Sequence, residues 1–302
     1  MFKEGVINVN KPSGWTSQDV CAKLRGRLHV KRIGHTGTLD PMATGVLPIC
    51  IGKATRIIEY YDLDYKTYRT TMKLGITTDT LDIMGQVLNE ISIDDISDDD
   101  ITTCINSFVG EIEQIPPKYS AVRINGRRAY DLAREGKEFE IKPRKITIDS
   151  ISNINIDIEN TLVSFDVTCS KGTYIRTLCD DIGRKLGCGA TMIELTRLAS
   201  GCFIIQNSKT IDEIINMTDE EINNMIITAD KTLEKLGEIS VNDNVITSIR
   251  NGNDVFDSCY TITRDSCFKD LYKVYTNEVF LGVGKITNEK LKMEKVITFG
   301  NI

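Results

Sequence analysis

A strand that leads directly into a helix is the feature of this sequence that most restricts its fold. Apolar residues alternate with polar ones from Val163 to Cys169, as in a half-buried β-strand. Lys171-Gly172-Thr173 ends the alternation, and apolar residues then recur at helical spacing from Ile175 to Leu186. The chain therefore requires an architecture in which a sheet and a helix pack together, and Arg176 lies at their junction.

Three further segments have recognisable periodicity. Residues 17–29 carry apolar side chains every four positions after a possible cap at Thr16 or Ser17, which predicts an amphipathic helix. Alternation from Tyr68 to Leu74 predicts a half-buried strand with Tyr68 on its inner face. Residues 92–109 are predicted to be helical with an acidic start.

The chain changes character at about residue 237. Beyond it, short alternating runs are separated by Gly and Asn, which is typical of a small β domain. We therefore expect two domains, residues 1–236 and residues 237–302, which suits a length of 302 residues.

Charge is segregated along the chain. The net charge of −6 and the pI near 5.2 argue at first against a nucleic-acid partner. However, residues 1–70 contain eleven basic and six acidic residues, and residues 118–145 contain nine and four, so each segment has a net charge of +5. Residues 79–100 contain eight acidic residues and no basic one. One positive face is therefore compatible with an acidic protein. Residues 118–145 follow a Pro-Pro pair, have little apolar periodicity, and are predicted to form an exposed, mobile basic flap.

The cysteines do not suggest a disulfide framework or a zinc site. There are nine, scattered and without a Cys-x-x-Cys pair, and the chain has only two histidines. Most should be small buried hydrophobes in a reducing compartment. No apolar run approaches the length of a membrane span and the N-terminus lacks the pattern of a signal peptide, so we expect a cytoplasmic protein.

The densest motif spans residues 32–48 and reads RIGHTGTLDPMATGVLP. Its glycines allow the backbone to approach a ligand closely, and Pro41 restricts the backbone of Asp40. A carboxylate held in this way is a candidate nucleophile or base. The alternative is a Gly-rich turn in which Asp40 only caps the chain, and spacing alone does not separate the two interpretations.

The motif GHTGTLDPMATG at residues 34–45 resembles the catalytic motif of the TruB family of pseudouridine synthases. Four other blocks resemble the same family in the same order: NKPSG (10–14), KTYR (66–69), QIPPKYSA (114–121) and CSKGTYIRT (169–177). The resemblance covers residue 5 to about residue 200. Residues 280–284 and 291–296 more weakly resemble the family's PUA-like domain, with Met293 where the family usually has Pro.

The resemblance implies an α+β fold. We expect a mixed, largely antiparallel sheet flanked by helices, followed by a small PUA-like β domain. It also implies roles for six residues. Asp40 is the catalytic carboxylate, Tyr68 the aromatic that contacts the flipped uridine and could act as a base, and Arg176 the ion-pair partner of Asp40. Tyr174 and Leu195 are expected to line the base pocket, and His35 to touch the RNA where the flipped base was. Lys11 is a further candidate substrate-binding residue.

Each role has a structural alternative. Tyr68 could be an inward-facing strand aromatic, Arg176 a surface residue, and His35 a side chain bonded to backbone. Lys11, next to Pro12, fits a support of the Asp40 loop better than a catalytic group.

The implied reaction converts uridine 55 in the T-loop of tRNA to pseudouridine. A stacked uridine must first be flipped out, and the ionised carboxylate benefits from a nearby guanidinium. The reaction has no redox change, so no cofactor or metal is expected. The expected partner is the tRNA T-arm, with no membrane, no required protein partner and a monomeric enzyme. The alternatives are a guide-RNA-dependent synthase, which the basic insertion disfavours, and a tRNA-folding protein, which the catalytic set disfavours.

Overall fold

The computed structural model describes residues 2–63, 65–268 and 270–297. The chain divides into two compact units. Unit 1 comprises residues 1–41, 46–63 and 201–302, and unit 2 comprises residues 42–45 and 64–200.

Strands and helices alternate irregularly along the described part of the chain. The strands are β1 (Gly5–Lys11), β2 (Ile33–His35), β3 (Thr44–Ile51), β4 (Lys66–Leu74), β5 (Ile76–Thr78), β6 (Val87–Glu90), β7 (Gly110–Gln114), β8 (Arg123–Ile124), β9 (Arg127–Arg128), β10 (Arg144–Asp157), β11 (Leu162–Cys169), β12 (Ala190–Ser200), β13 (Phe203–Ile204), β14 (Lys209–Thr210), β15 (Gly237–Val241), β16 (Val255–Phe256), β17 (Tyr260–Arg264), β18 (Leu271–Thr276), β19 (Val279–Thr287) and β20 (Lys290–Val296). The α-helices are α1 (Ser17–Leu28), α2 (Asp98–Asn106), α3 (Ala129–Arg134), α4 (Ile175–Leu186), α5 (Ile211–Asn216), α6 (Asp219–Met225) and α7 (Ile246–Arg250).

Unit 2 is built on the sheet β12-β4-β11-β10-β7, in which every neighbouring pair is antiparallel. Thr44 and Gly45, the first residues of β3, pair in parallel with β12. Alternate residues of β4 are buried, including Tyr68 and Leu74, which confirms the predicted strand and its inner face. Helix α4 follows β11 and packs against β4 and β12, so the predicted strand-to-helix junction is also confirmed.

Unit 1 contains two sheets. The first has the order β14-β1-β3, with β2 antiparallel to β3. The second is the six-stranded sheet β16-β20-β19-β18-β15-β17, formed entirely from residues after 236. Side chains from β1, from residues 46–61 and from β19 share one buried core, which joins this sheet to the N-terminal part of the chain. A second cluster, including Ile239 and Leu281, fills the interior of the six-stranded sheet itself.

The predicted fold class is confirmed: mixed and largely antiparallel sheet with packed helices, and a separate C-terminal sheet. The division into domains 1–236 and 237–302 stays a prediction, and residues 298–302 lie outside the described residues. No helix within residues 2–63, 65–268 and 270–297 is long and apolar enough to cross a membrane.

Helix α1 forms where the sequence predicts it. Thr16 is its N-cap, and Thr16 and Asp19 form a reciprocal capping box. The predicted helix over residues 92–109 was too long, because α2 covers only residues 98–106. Ser97 caps it in the same manner, and three aspartates fill its first turn, where the helix dipole favours negative charge. The acidic run thus marks the start of the helix and not its interior.

Residues 118–145, the basic segment, contain more structure than the sequence predicts. They form the hairpin β8–β9 and helix α3, and Val122, Ala129 and Ile141 are buried in a small apolar cluster. The segment therefore has a small apolar cluster of its own, which the lack of apolar periodicity did not predict. Its nine basic side chains are nevertheless all exposed, as predicted.

Candidate active site

The Asp40 loop in unit 1 is held on both sides of Asp40. The Lys11 side chain is completely buried, and its ammonium donates to the carbonyls of Pro12, Trp15 and Pro41 at 2.8, 2.6 and 3.1 Å. The Gly14 N–H also donates to the Pro41 carbonyl. Because these groups fix the residue that directly follows Asp40, Lys11 supports the loop.

A second clamp holds the residue before Asp40. The Leu39 N–H donates to the Ser17 hydroxyl oxygen at 2.9 Å, and that hydroxyl donates to the Leu39 carbonyl at 3.3 Å. Ser17 is only 2% exposed and is the first residue of α1. Asp40 itself is only partly buried. The loop therefore presents a carboxylate between two fixed neighbours, which is the geometry that a preorganised nucleophile requires.

His35 ends β2, where it pairs with Ile49 of β3. The next residue is held by a bond from the Thr36 N–H to the Pro48 carbonyl at 3.1 Å. His35 is thus a half-buried residue at the entry to the Asp40 loop.

Tyr68 and Leu195 lie on one face of the sheet in unit 2. Tyr68 of β4 is opposite Arg197 of β12, and Leu195 is opposite Thr70, two residues further along β4. Residues directly opposite one another share a face, so all four side chains project to the same side. Thr70 contacts the Cys179 thiol of α4 at 3.8 Å, which identifies this side as the one that α4 covers.

Glycine is required where β3 begins beside this face. Gly45 has φ +101°, and a Cβ there would lie 2.3 Å from the carbonyl oxygen of Arg197. Any side chain at this position would therefore separate β3 from β12 opposite Tyr68.

Arg176 lies in the first turn of α4 and is 6% exposed. Its Nη1 is 3.2 Å from Asp82 Oδ2 and donates to the Thr80 carbonyl at 3.1 Å, while Nη2 donates to the Tyr119 carbonyl at 3.1 Å. Asp82 is equally buried, and its Oδ1 accepts from the Thr80 hydroxyl at 2.8 Å. A planar guanidinium bonded in this way has one orientation. The alternative that Arg176 is a surface residue is therefore wrong.

Tyr174 is the N-cap of α4, two residues before Arg176, and packs against the apolar cluster of the basic segment. Unit 2 therefore brings four predicted site residues to α4 and the sheet face beneath it: Tyr68, Tyr174, Arg176 and Leu195.

The thiols are poor candidates for catalysis. All nine are free, and six are buried. Burial raises the pKa of Cys179, which lies against Thr70, to about 12, so this thiol is protonated at neutral pH. Burial likewise raises the pKa of Cys21 in α1 to about 11.

The sequence predicted no site role for three polar residues of these substructures: Ser17, which was considered only as a helix cap, Asp82 and Gln114. Asp82 belongs to the acidic run 79–100, whose charges suggest a solvated segment, and nothing local distinguishes it from Asp79. Gln114 was recognised only as part of a motif block. These residues lie far in sequence from the site residues that they contact in the fold, so no local sequence pattern reveals the contacts.

Comparison with protein families identifies the class to which the chain belongs. Residues 25–175 match the TruB family pseudouridylate synthase N-terminal domain, and residues 176–234 match the tRNA pseudouridylate synthase B C-terminal domain. The chain belongs to the TruB family, and it is an isomerase.

Relatives match over almost their whole length. The chain is similar to the tRNA pseudouridine synthase B of Clostridium perfringens, at 48% identity over 97% of this chain and 98% of that protein. It is similar to that of Clostridium tetani at 45% identity, over 97% and 99%. Among solved structures it resembles one described as a Cbf5-Nop10-Gar1 complex, with a TM-score of 0.76 and 28% identity over 97% of this chain and 84% of that chain. An archaeal box H/ACA Nop10-Cbf5 complex gives a TM-score of 0.75 and 26% identity, over 98% and 86%.

Proposed function

We propose that this chain isomerises uridine 55 in the T-loop of tRNA to pseudouridine, with Asp40 as the catalytic carboxylate. The observation that carries the proposal is the double clamp around Asp40, in which Ser17 fixes Leu39 and Lys11 fixes Pro41. A chain that used Asp40 only as a turn cap would not need a buried ammonium beneath the next residue. The relatives named tRNA pseudouridine synthase B support the substrate class.

The reaction rearranges bonds within one nucleotide. The N1–C1′ glycosidic bond breaks, the uracil turns, C5 bonds to C1′, and the proton on C5 is lost while N1 gains one. Atoms and electrons balance without a co-reactant. Asp40 attacks either C6 of the base or C1′ of the sugar, and both routes require an ionised carboxylate and a uridine flipped out of its stack.

The other residues take complementary roles in this proposal. Arg176, already oriented by Asp82, pairs with Asp40 and stabilises its negative charge. Tyr68 contacts the flipped base and can accept or donate a proton through its hydroxyl. Tyr174 and Leu195 line the base pocket, and His35 contacts the RNA where the base was stacked.

The basic segment binds the T-arm directly. Its nine exposed basic side chains supply the phosphate contacts that an otherwise acidic protein needs. This supports a monomeric enzyme that needs no guide RNA and no protein partner, although the solved structures cited above are Cbf5 complexes. Nine free thiols are consistent with action in the reducing cytoplasm.

One incubation tests the proposal. The purified chain, without guide RNA or other protein, is mixed with an unmodified tRNA transcript, and pseudouridine is mapped by position. We expect modification at position 55 alone. Asp40→Asn should abolish turnover while tRNA affinity stays within about threefold, because phosphate contacts dominate binding. Product at another position, activity only with a guide RNA, or turnover by the Asn variant would each contradict the proposal.

A further inference from the structure

Gln114 joins the start of the basic segment to the start of α4. It is the last residue of β7, is 2% exposed, and directly precedes Ile115-Pro116-Pro117. Its amide Nε2 donates to the Tyr174 carbonyl at 3.1 Å, and its Oε1 accepts from the Tyr174 N–H at 2.8 Å. One side-chain amide therefore holds both backbone polar groups of a single residue.

Both of these hydrogen bonds of Gln114 are made to Tyr174. Tyr174 is the N-cap of α4, yet its own side chain makes no capping hydrogen bond. A buried primary amide is costly unless its donors and acceptor are bonded. Gln114 meets that requirement only while the backbone of Tyr174 keeps this position, so the clamp fixes the N-terminus of α4 at the entry to the turn that carries Arg176.

Two other contacts unite the same regions. Arg176 Nη2 donates to the carbonyl of Tyr119, the second residue of the basic segment. The Tyr174 side chain packs against Val122, Ala129 and Ile141 of that segment. The start of the basic segment and the first turn of α4 therefore pack together within unit 2.

We propose that Gln114 is a positioning residue for the isomerisation. It fixes Tyr174 and, two residues later, Arg176, and it ties both to the segment that holds the RNA phosphates. The inference rests on the proposed function, because Tyr174 and Arg176 must belong to the reaction site. Gln114 is 2% exposed and its amide bonds the backbone of Tyr174, so it is expected to act through Tyr174 and not by contacting the RNA itself. Its loss should therefore slow the reaction without weakening tRNA binding.

The test is Gln114→Met, which keeps the length of the side chain and removes both hydrogen bonds. We expect kcat to fall by about ten- to a hundredfold, the range that a misplaced reacting group causes, with KM and tRNA affinity within about twofold. Hydrogen exchange of the peptide containing Tyr174 should accelerate, because its N–H loses its acceptor. Gln206→Met, at an exposed position, is the matched control and should leave all three measurements unchanged.

Gln114→Glu separates positioning from folding. The ionised carboxylate keeps an acceptor for the Tyr174 N–H but sets a second oxygen against the Tyr174 carbonyl, so protection of that amide should persist while kcat falls. This variant also provides the test if the Met variant does not fold. An unchanged kcat would overturn the inference, either in a folded Met variant with accelerated exchange or in a folded Glu variant, as would a loss of tRNA affinity with kcat unchanged. If the wild type makes no pseudouridine in tRNA, the proposed function fails by itself, while the exchange measurement still reports on the clamp.

Discussion

The basic side chains of the basic segment should contribute unequally to RNA binding, and the structure indicates which contribute most. Arg127 forms an ion pair with Glu135, and Lys137 contacts the same carboxylate at 2.8 Å. The hydrogen bond from Arg127, followed by that from Lys137, lowers the pKa of Glu135 to about 2, so Glu135 is charged at neutral pH. Part of the charge of Arg127 and Lys137 is therefore already neutralised. Arg123 and Arg128 are the better choices for a test.

The magnitude follows from counterion release. Each phosphate neutralised contributes ~0.7 to ~0.9 to the slope of log K against log salt, for single strands and duplex respectively. Arg123→Ala with Arg128→Ala should thus flatten the slope by about 1.4 to 1.8. The ratio of the variant's Kd to the wild-type Kd should then be roughly seven- to twelvefold smaller at about 200 mM salt than at about 50 mM salt. Unfolding free energy should change by less than about 1 kcal/mol, because exposed charges contribute little to folding.

The assay is a binding titration of an unmodified tRNA transcript at several salt concentrations. Lys290→Ala with Lys292→Ala is the matched control, since both residues are exposed and lie on β20, outside the basic segment. It removes the same charge and should keep the wild-type slope. Equal slopes for both double variants would mean that the basic segment makes no specific phosphate contacts, and the reasoning would be refuted.

Four substitutions test the site itself. Lys11→Met should destabilise the fold by about 3 kcal/mol in urea unfolding, because three carbonyls lose a buried charged donor, and a loss under about 1 kcal/mol would contradict a supporting role. Asp82→Asn and Arg176→Ala should each lower kcat at least tenfold with tRNA affinity unchanged, because each removes one half of a buried ion pair. Near-normal turnover in both variants would exclude the ion pair from the reaction. Tyr68→Phe keeps the ring and removes the hydroxyl, so a collapse of turnover with unchanged thermal stability would assign proton transfer to it, and full activity would leave only stacking.

Local pattern predicted those elements whose structure depends on neighbours in sequence. Alternation of apolar and polar residues identified β4 and β11, apolar residues at helical spacing identified α1 and α4, and the motif rich in Gly and Pro identified the Asp40 loop. The partners of the site residues could not be predicted in this way. Asp82 lies 94 positions before Arg176, and Gln114 lies 60 positions before Tyr174, so only the packing of β7, α4 and residues 79–86 brings them together. The small core of the basic segment was missed for the same reason, since Val122, Ala129 and Ile141 show no period along the chain.

Both units fix proposed site residues through adjacent backbone. Ser17 and Lys11 bond the neighbours of Asp40, and Gln114 bonds the backbone of Tyr174. Hydrogen bonds to the backbone fix the position of a residue's Cα and leave the polar atoms of its side chain available to contact the substrate. Because the bonds are buried, they do not need to be reorganised when the RNA arrives. If the proposed function holds, residues that do not touch the uridine can therefore limit kcat, and Ser17, Lys11 and Gln114 are the buried polar residues expected to do so.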